Sequence, residues 1–397
     1  MKKHKEKLDE GKIKLVTFVT FLMGFAQATL IYVMSTYFKL SIGTDNVGIF
    51  YAVSYIIFLI ILLNLHKFVR ALGKSNVFYF SLFAKLIVIF GLILVEPSKL
   101  GILLMIAYII LGHIEWVALD FIIEEVSTDR MSGRIRGMHL TILNAGFLFG
   151  PFVSTYFLDK INFHGVFIFA LIFNIFVFIF ALLGFRKVNK RFEQKLRVLD
   201  ILKKVLARKN IMRIYYISFV LEFFYALMVI YTPIYLRDLG FSWGEIGRIF
   251  TVMLIPFVIF QYPAGLLADK KMGEKELLIL AVFIMGISTM LIYSIGAGSV
   301  LSWALILFVT RIGASLIEIL RDSYFYKRID CRDVDVIDFF RTSLPMAYIF
   351  ATILSSFVFL FLPIKFVFIL TGIIVLSALY PAFRLTDNRS EKDMGKC

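Results

Sequence analysis

The chain has few of the residues that support disulfide bonds, metal centres or a solvated surface. Cys331 and Cys397 are its two cysteines, its five histidines are scattered, and only 18% of its residues are charged. Two distant thiols do not indicate a disulfide framework, and the histidines do not stand at the spacing of zinc ligands. We therefore expect neither a metal nor a cofactor.

Apolar residues dominate the composition. They make up 60% of the chain and the mean hydropathy is +0.86, whereas soluble proteins are apolar over ~45–50% of their residues. Apolar runs of the length that crosses a bilayer, about 17–25 residues, predict an all-α integral membrane protein with twelve transmembrane helices. These spans lie near residues 14–38, 47–65, 76–95, 101–123, 137–158, 164–186, 212–236, 246–268, 276–296, 301–323, 343–362 and 364–383.

The basic residues predict the orientation of the chain in the membrane. One set of alternate loops carries a single basic residue each, while the other set carries clusters such as Lys67, Arg70 and Lys74. Because Lys and Arg are retained on the cytoplasmic side, we expect a plasma (inner) membrane protein with both termini in the cytoplasm. This asymmetry explains most of the +15 net charge, so the charge does not indicate a nucleic-acid partner.

An internal repeat divides the chain into two halves. A shift of about 198 residues aligns Tyr37 with Tyr235, and the longest polar stretch between spans covers residues 186–210. Four apolar residues of that stretch share one helical face, which predicts a helix lying on the lipid surface; a solvated basic linker is the alternative. We predict pseudo-symmetric six-helix bundles over 1–186 and 212–397, a linker over 187–211, and a substrate site between the bundles.

Two short cytoplasmic segments carry a family resemblance. "PAGLLADKKMGEKELL" joins the eighth and ninth spans, and "GRIRG" follows the fourth. With the twelve duplicated spans, they resemble the major facilitator superfamily, although the equivalent loop of the first half keeps Gly73 and Lys74 without an aspartate. The resemblance implies a solute transporter working by alternating access, with the first and seventh spans lining its cavity.

The loop after the eighth span suits a gate. Gly265 and Gly273 permit a tight turn, and Asp269 can pair with Arg134 or Arg136 at the start of the fifth span when the cytoplasmic side is closed. A solvated turn is the alternative. The acids at the membrane rim, Glu124 and Asp322, are assigned to the same gate or to neutralising loop arginines.

Ionisable residues inside the spans mark the candidate solute and coupling site, since each charge costs about 2.5–3.5 kcal/mol there on insertion scales. The fourth span places His113, Asp120 and Glu124 on one helical face, and 198 residues later the tenth span repeats the spacing. We assign solute contact or coupling to His113, Asp120, Arg311, Glu318, Glu222 and Gln27. Glu115 points away from that face, so we expect a structural pair with Lys85, with snorkelling of Lys85 as the alternative.

A proton-coupled secondary transporter for a small solute fits these features best. Asp120 and Glu318 are the leading proton sites; sodium coupling and uncoupled facilitated diffusion are the alternatives.

Gly146, Gly150 and Pro151 resemble the glycine-proline motif of exporters in the superfamily, which favours export, and generic helix packing also explains them. A membrane enzyme or a receptor lacks support, because the sequence has no nucleophile-base constellation and no appended signalling domain. We expect a monomer whose partners are the solute, the coupling proton and the bilayer.

Overall fold

The computed structural model describes residues 10–126, 132–185, 203–268, 273–329 and 334–386. Within these ranges the chain is helical and contains no strand, and twelve of its helical segments are long and apolar enough to cross a membrane. The predicted all-α class and the number of spans are confirmed.

Five spans of the first half are single helices, and the first span has a short break before its last two turns. The spans of this half are Glu10–Ile31 with Met34–Ile42 (span 1), Gly48–Leu72 (span 2), Lys74–Leu94 (span 3), Lys99–Val126 (span 4), Ser132–Ile161 (span 5) and Phe163–Gly184 (span 6).

The second half repeats this order with more interruptions. Its spans are Lys209–Asp238 (span 7), Trp243–Ile259 with Gln261–Leu267 (span 8), Glu274–Leu291 with a 3-10 turn at Ile292–Ser294 (span 9), Val300–Tyr326 (span 10), Val334–Arg341 with Ser343–Val358 (span 11) and Phe366–Ser377 with Leu379–Phe383 (span 12).

Two predicted boundaries differ from the structure because charged turns continue a helix without adding hydropathy. Span 11 was expected from residue 343, but its membrane-length segment begins at Val336 and is interrupted only at Thr342. Span 7 begins at Lys209, inside the predicted linker. The first part of the predicted surface helix lies outside the described residues; of its remaining apolar residues, Val205 is buried and Leu206 is 55% exposed.

Burial separates the helices into an inner and an outer set. The most apolar part of span 7 is 89% buried inside the protein. The corresponding part of span 6, the most apolar of the twelve spans, is 33% buried. Large apolar side chains such as Phe80 and Phe83 are exposed, as expected for a surface covered by lipid. The most apolar helices therefore lie outside, and the polar residues of the inner helices lie near the molecular centre.

Repeated contacts relate the two halves. Tyr37 in span 1 packs edge-on against Phe167 of span 6, and Tyr235 in span 7 packs in the same way against Phe368 of span 12. Span 2 packs on span 11, and span 5 packs on span 8. These two helix pairs join the halves and enclose spans 1, 4, 7 and 10, which carry most of the intramembrane charges.

Candidate functional site

A cavity lies between the two halves of the chain, lined by residues of six spans. Spans 1 to 4 form most of its wall, and spans 7 and 11 close it from the other half. Its polar lining residues are Gln27, Tyr51, Tyr55, Lys85, Tyr108, His113 and Tyr348.

Two of the predicted solute-contact residues, Gln27 and His113, line this cavity. The indole of Trp116 donates a hydrogen bond to the side-chain oxygen of Gln27. His113 Nε2 lies 2.9 Å from the Tyr55 hydroxyl, and the Tyr55 ring stacks on Tyr348 with 4.1 Å between ring centroids. A continuous polar and aromatic contact therefore runs from span 4 to span 11 across the boundary between the halves.

The predicted structural pair in the first half is also brought together. Lys85 Nζ contacts Glu115 Oε2, and the two side chains are 8% and 0% exposed. Glu115 Oε1 has no hydrogen-bond partner within the described part of the chain. The carboxylate thus compensates the lysine charge, which otherwise faces the cavity beside the ring of Tyr108.

Arg311 occupies a different environment in span 10. It is 2% exposed, and its guanidinium carbon lies 4.7 Å from the centroid of the Phe224 ring. Its Nη1 atom has no hydrogen-bond partner among the described residues. Tyr32 of span 1, Tyr225 of span 7 and Tyr348 of span 11 interact electrostatically with the guanidinium.

Glu318 lies about two turns further along span 10 on the same face, and its hydrogen-bond donors are neutral groups. Gln261 Nε2 donates to Glu318 Oε2 at 2.9 Å, and the Tyr225 hydroxyl donates to the same oxygen at 3.5 Å. Asn144 of span 5 donates to the other end of the Gln261 amide at 3.1 Å. The carboxyl of Glu318 is thereby connected to both halves through side chains that carry no charge.

Glu222 is held by an arginine that sequence reasoning did not select. Arg321 Nη1 lies 2.8 Å from Glu222 Oε1 and donates to the Ser218 hydroxyl at 2.8 Å. Asp322 Oδ1 lies 3.5 Å from Nε of the same arginine, within ion-pair distance. Glu222 therefore contacts Arg321 rather than lining the cavity. The charge of Arg321 inside span 10 was the available signal, because it lies three residues after Glu318 within the stripe already identified.

Asp120 lies at a contact between span 4 and span 11. Arg341 Nε is 3.7 Å from Asp120 Oδ2, and the guanidinium lies over the Phe121 ring at 4.8 Å. Asp338 accepts from the same arginine at 3.1 Å. Asp120 is therefore placed beside a cation of the other half and not in the cavity with His113.

The predicted gate falls largely outside the described part of the chain. Asp269 lies in the range 269–272, and the side chains of Glu124, Arg134 and Arg136 are likewise outside the described residues. Gly273 is described and adopts a left-handed φ of +71°, which matches Gly73 at +90° in the equivalent loop of the first half. Gly265 lies inside the helix Gln261–Leu267, so Gly273 alone of the two glycines has a turn conformation, and the contact between Asp269 and an arginine stays a prediction.

The opposite end of the molecule, called the Lys39 end after the residue at the end of span 1, is closed by charges. Lys39 Nζ lies 2.5 Å from Asp238 of span 7 and 2.6 Å from Asp45. Nearby, Asn46 donates to the Ser356 carbonyl at 3.4 Å. The two halves are thus in direct contact at this end.

The described residues contain no group of three side chains able to hold a metal ion. Buried charges, tyrosines and amides around a cavity between two helical halves can bind a polar solute and hold a proton inside the membrane. Twelve spans arranged in this way define a membrane protein of the solute-transporter class.

The family comparison agrees with this architecture. The model for the Major Facilitator Superfamily matches residues 16–330, and the chain belongs to that superfamily. The resemblance seen in the sequence is confirmed.

Solved transporter structures share the fold at low sequence identity. A mutant of the nucleoside transporter NupG superimposes with a TM-score of 0.75 and 12% identity, covering 95% of this chain and 100% of its own. Another structure of NupG gives a TM-score of 0.72 and 12% identity, with 94% and 98% covered. A comparison with curated proteins found no match.

Proposed function

We propose that the protein is a secondary transporter that couples movement of a small solute to a proton, with Glu318 as the proton-binding carboxyl. The observation that carries this proposal is the pair of neutral hydrogen-bond donors, Gln261 and Tyr225, on a carboxyl inside span 10. Glu222 and Asp120, by comparison, each lie beside an arginine. Arg321 lies near Glu318 on the same helix but forms its ion pair with Glu222. A carboxyl held by neutral donors gains more from protonation when water leaves than one in an ion pair, because burial penalises its charged form.

The contacts of Glu318 also support a role in alternating access. Gln261 belongs to span 8 and is bound by Asn144 of span 5, so a rocking motion between the halves changes the surroundings of the carboxyl. Contact with water on one side favours release of the proton, and enclosure favours its uptake. Uncoupled facilitated diffusion is the competing function, and the network around Glu318 favours coupling over it.

The orientation proposed for the chain follows from its basic loops. We place both termini in the cytoplasm and the Lys39 end on the external side of the membrane, since the loops at the Lys39 end carry at most one basic residue each. In this orientation Lys39 and Asp238 close the external side. Asp269, with Arg134 or Arg136, is proposed to close the cytoplasmic side in the alternate state.

Export is the proposed direction, with the protein acting as a monomer. The glycine-proline motif of span 5 supports export. Its Gly146 and Gly150 lie against the backbone of span 1, so a movement of span 1 during transport would also move span 5. The two six-helix halves and the linker over 187–211 are the proposed domains. We propose no enzymatic activity for this site.

Proton coupling is tested by solute flux in vesicles containing the purified full-length protein. Uptake of uridine, glucose, leucine and benzoate is measured with and without an imposed pH gradient. For every solute carried by the protein, we expect flux in the wild type to change several-fold with the gradient. Glu318→Gln should make that flux insensitive to the gradient, because the amide cannot exchange a proton.

The control variants separate the candidate carboxyls. Asp159→Asn removes an exposed acid of span 5 and should retain the full gradient response, as should Glu222→Gln if it leaves the fold intact. Protein-dependent flux that ignores the gradient in the wild type would refute proton coupling. A normal response in Glu318→Gln that is lost in Asp120→Asn would move the proton site to span 4.

A further inference from the structure

We infer that the solute is an organic anion and that the guanidinium of Arg311 binds its acidic head group. The inference rests on the proposed transport function and names the chemical class that the site between the halves would accept. It starts from the way in which the described part of the chain pairs its buried cations.

Three other cations of low exposure have carboxylate partners. Lys85 contacts Glu115, Arg321 lies 2.8 Å from Glu222, and Lys327 lies 2.7 Å from Glu274. Arg311 is more buried than Arg321 or Lys327 and makes no ion pair with any described residue; its recorded contact is the face of Phe224.

The contact with Phe224 does not replace a carboxylate. A cation over an aromatic ring gains less than the several-kcal/mol cost of removing a charge from water. A guanidinium also has five hydrogen-bond donors in a planar fork that matches a carboxylate or phosphate, and Nη1 of Arg311 is unpartnered within the described residues. An uncompensated arginine at this depth is the expected form of an anion-binding group.

The surroundings of Arg311 indicate what the rest of the anion is like. The Phe224 ring lies against the guanidinium, and Tyr32, Tyr225 and Tyr348 are close enough to interact with it electrostatically. They come from span 1 of one half and from spans 7 and 11 of the other. A small aromatic or apolar body with one acidic group would place its body against the rings and its charge on Arg311.

The cavity provides an approach that suits an anion. Tyr348 lines the cavity and also interacts electrostatically with Arg311, so the cavity and the guanidinium share a neighbouring side chain. None of the described side chains lining the cavity is acidic, and the cation among them, Lys85, is compensated by Glu115. The cavity lining therefore offers no counter-charge to a cationic solute, whereas Arg311 offers one to an anion.

The test uses the purified full-length protein and matched solutes that differ in charge. Thermal unfolding is measured with benzoate and phenylacetate, with their amides benzamide and phenylacetamide, with phenyl phosphate, and with benzylamine and uridine. We expect the acids to raise the unfolding temperature and the amides, the amine and uridine to leave it unchanged, because a ligand that binds the native state stabilises it. Comparison of benzoate with phenyl phosphate distinguishes a carboxylate site from a phosphate site.

Two variants assign the binding to Arg311. Arg311→Met should weaken benzoate binding about tenfold or more, as expected for loss of a charged hydrogen-bond pair, and should not lower the unfolding temperature without ligand, because it removes an uncompensated charge. Arg384→Gln is the matched control: this exposed arginine also stacks on a ring, at 4.5 Å from Tyr380, and its loss should leave binding unchanged.

Four results would overturn the inference. They are amides that bind as well as acids, preferred binding of benzylamine or uridine, no response to any acid, and undiminished acid binding by Arg311→Met. Binding at a fixed pH needs no proton gradient, so this test can fail while proton coupling holds, and it can succeed while coupling fails.

Discussion

Lys85 and Glu115 are the most enclosed ion pair of the first half. Their side chains are 8% and 0% exposed, and the second oxygen of Glu115 has no partner in the described residues. Each charge is therefore stabilised by the other, as is usual for ionised groups buried inside a membrane protein.

Replacing one member of this pair should lower the free energy of unfolding far more than replacing both members. Lys85→Met leaves the Glu115 carboxylate buried and uncompensated, and we expect a loss of about 3–5 kcal/mol in the free energy of unfolding. Lys85→Met combined with Glu115→Leu should recover most of that loss. Unfolding in mixed micelles by chemical denaturant measures all four members of the double-mutant cycle. A wild-type stability for Lys85→Met alone would instead support a lysine that snorkels to the membrane surface.

The sequence indicated the charged residues of the candidate site but not their partners. Intramembrane charge alone singled out His113, Arg311 and Glu318 as candidates, because such residues are rare enough to be informative. It could not pair Glu222 with Arg321 or Asp120 with Arg341, since those contacts join different helices whose rotation is set by packing. Tyrosines were missed for another reason: in a chain with 18 of them, no local pattern separates a cavity tyrosine from a packing one.

At the scale of helices, the sequence predicted that each span exists but not the exact residues at which it begins and ends. Length and hydropathy identified all twelve spans, whereas span 11 begins earlier than its apolar run because a charged helical segment, Val334–Arg341, precedes it. Small residues decide how closely helices approach. In span 5, a Cβ atom on Gly150 would lie 2.7 Å from the carbonyl carbon of Ala28 in span 1, so these backbones are nearly in contact.

Gly150→Ala should therefore force spans 1 and 5 apart. The added methyl group meets backbone atoms that cannot rotate away, and we expect destabilisation of about 1–3 kcal/mol, typical of overpacking. Gly244→Ala is the matched control, because a Cβ at this helical position of span 8 meets no atom within 4 Å. Thermal unfolding of both variants in the same detergent makes the comparison. Equal stability of the two variants would show that the close packing of spans 1 and 5 does not contribute to the stability of the protein.

The whole molecule consists of two helical halves whose contacts differ between its ends. At the Lys39 end the halves are joined by an ion pair of Lys39 with Asp238, and at the other end by Arg341 with Asp120 at 3.7 Å. Tyr55 and Tyr348 stack between them, near the cavity. Rocking of one half against the other would exchange these contacts, which is the motion that alternating access requires.

Electron-spin distance measurements on the full-length protein in lipid nanodiscs test that motion most directly. One label pair, at Thr44 and Leu360, reports on the Lys39 end, and a second pair, at Asn76 and Glu276, reports on the opposite end; all four positions are exposed. Labels are attached to introduced cysteines after the two native cysteines are replaced by serine. The perturbation is Lys39→Met, which removes the partly exposed pair with Asp238, worth about 1 kcal/mol or a fivefold change in population.

Alternating access predicts opposite changes in the two distances. Lys39→Met should increase the population with a long distance between residues 44 and 360 and, in the same sample, the population with a short distance between residues 76 and 276. Lys365→Met, at the same end but stacked on Tyr293 within the second half, should leave both distributions as in the wild type. Distances that stay fixed in Lys39→Met, or that lengthen together at both ends, would contradict a transporter in which the two halves open one side at a time.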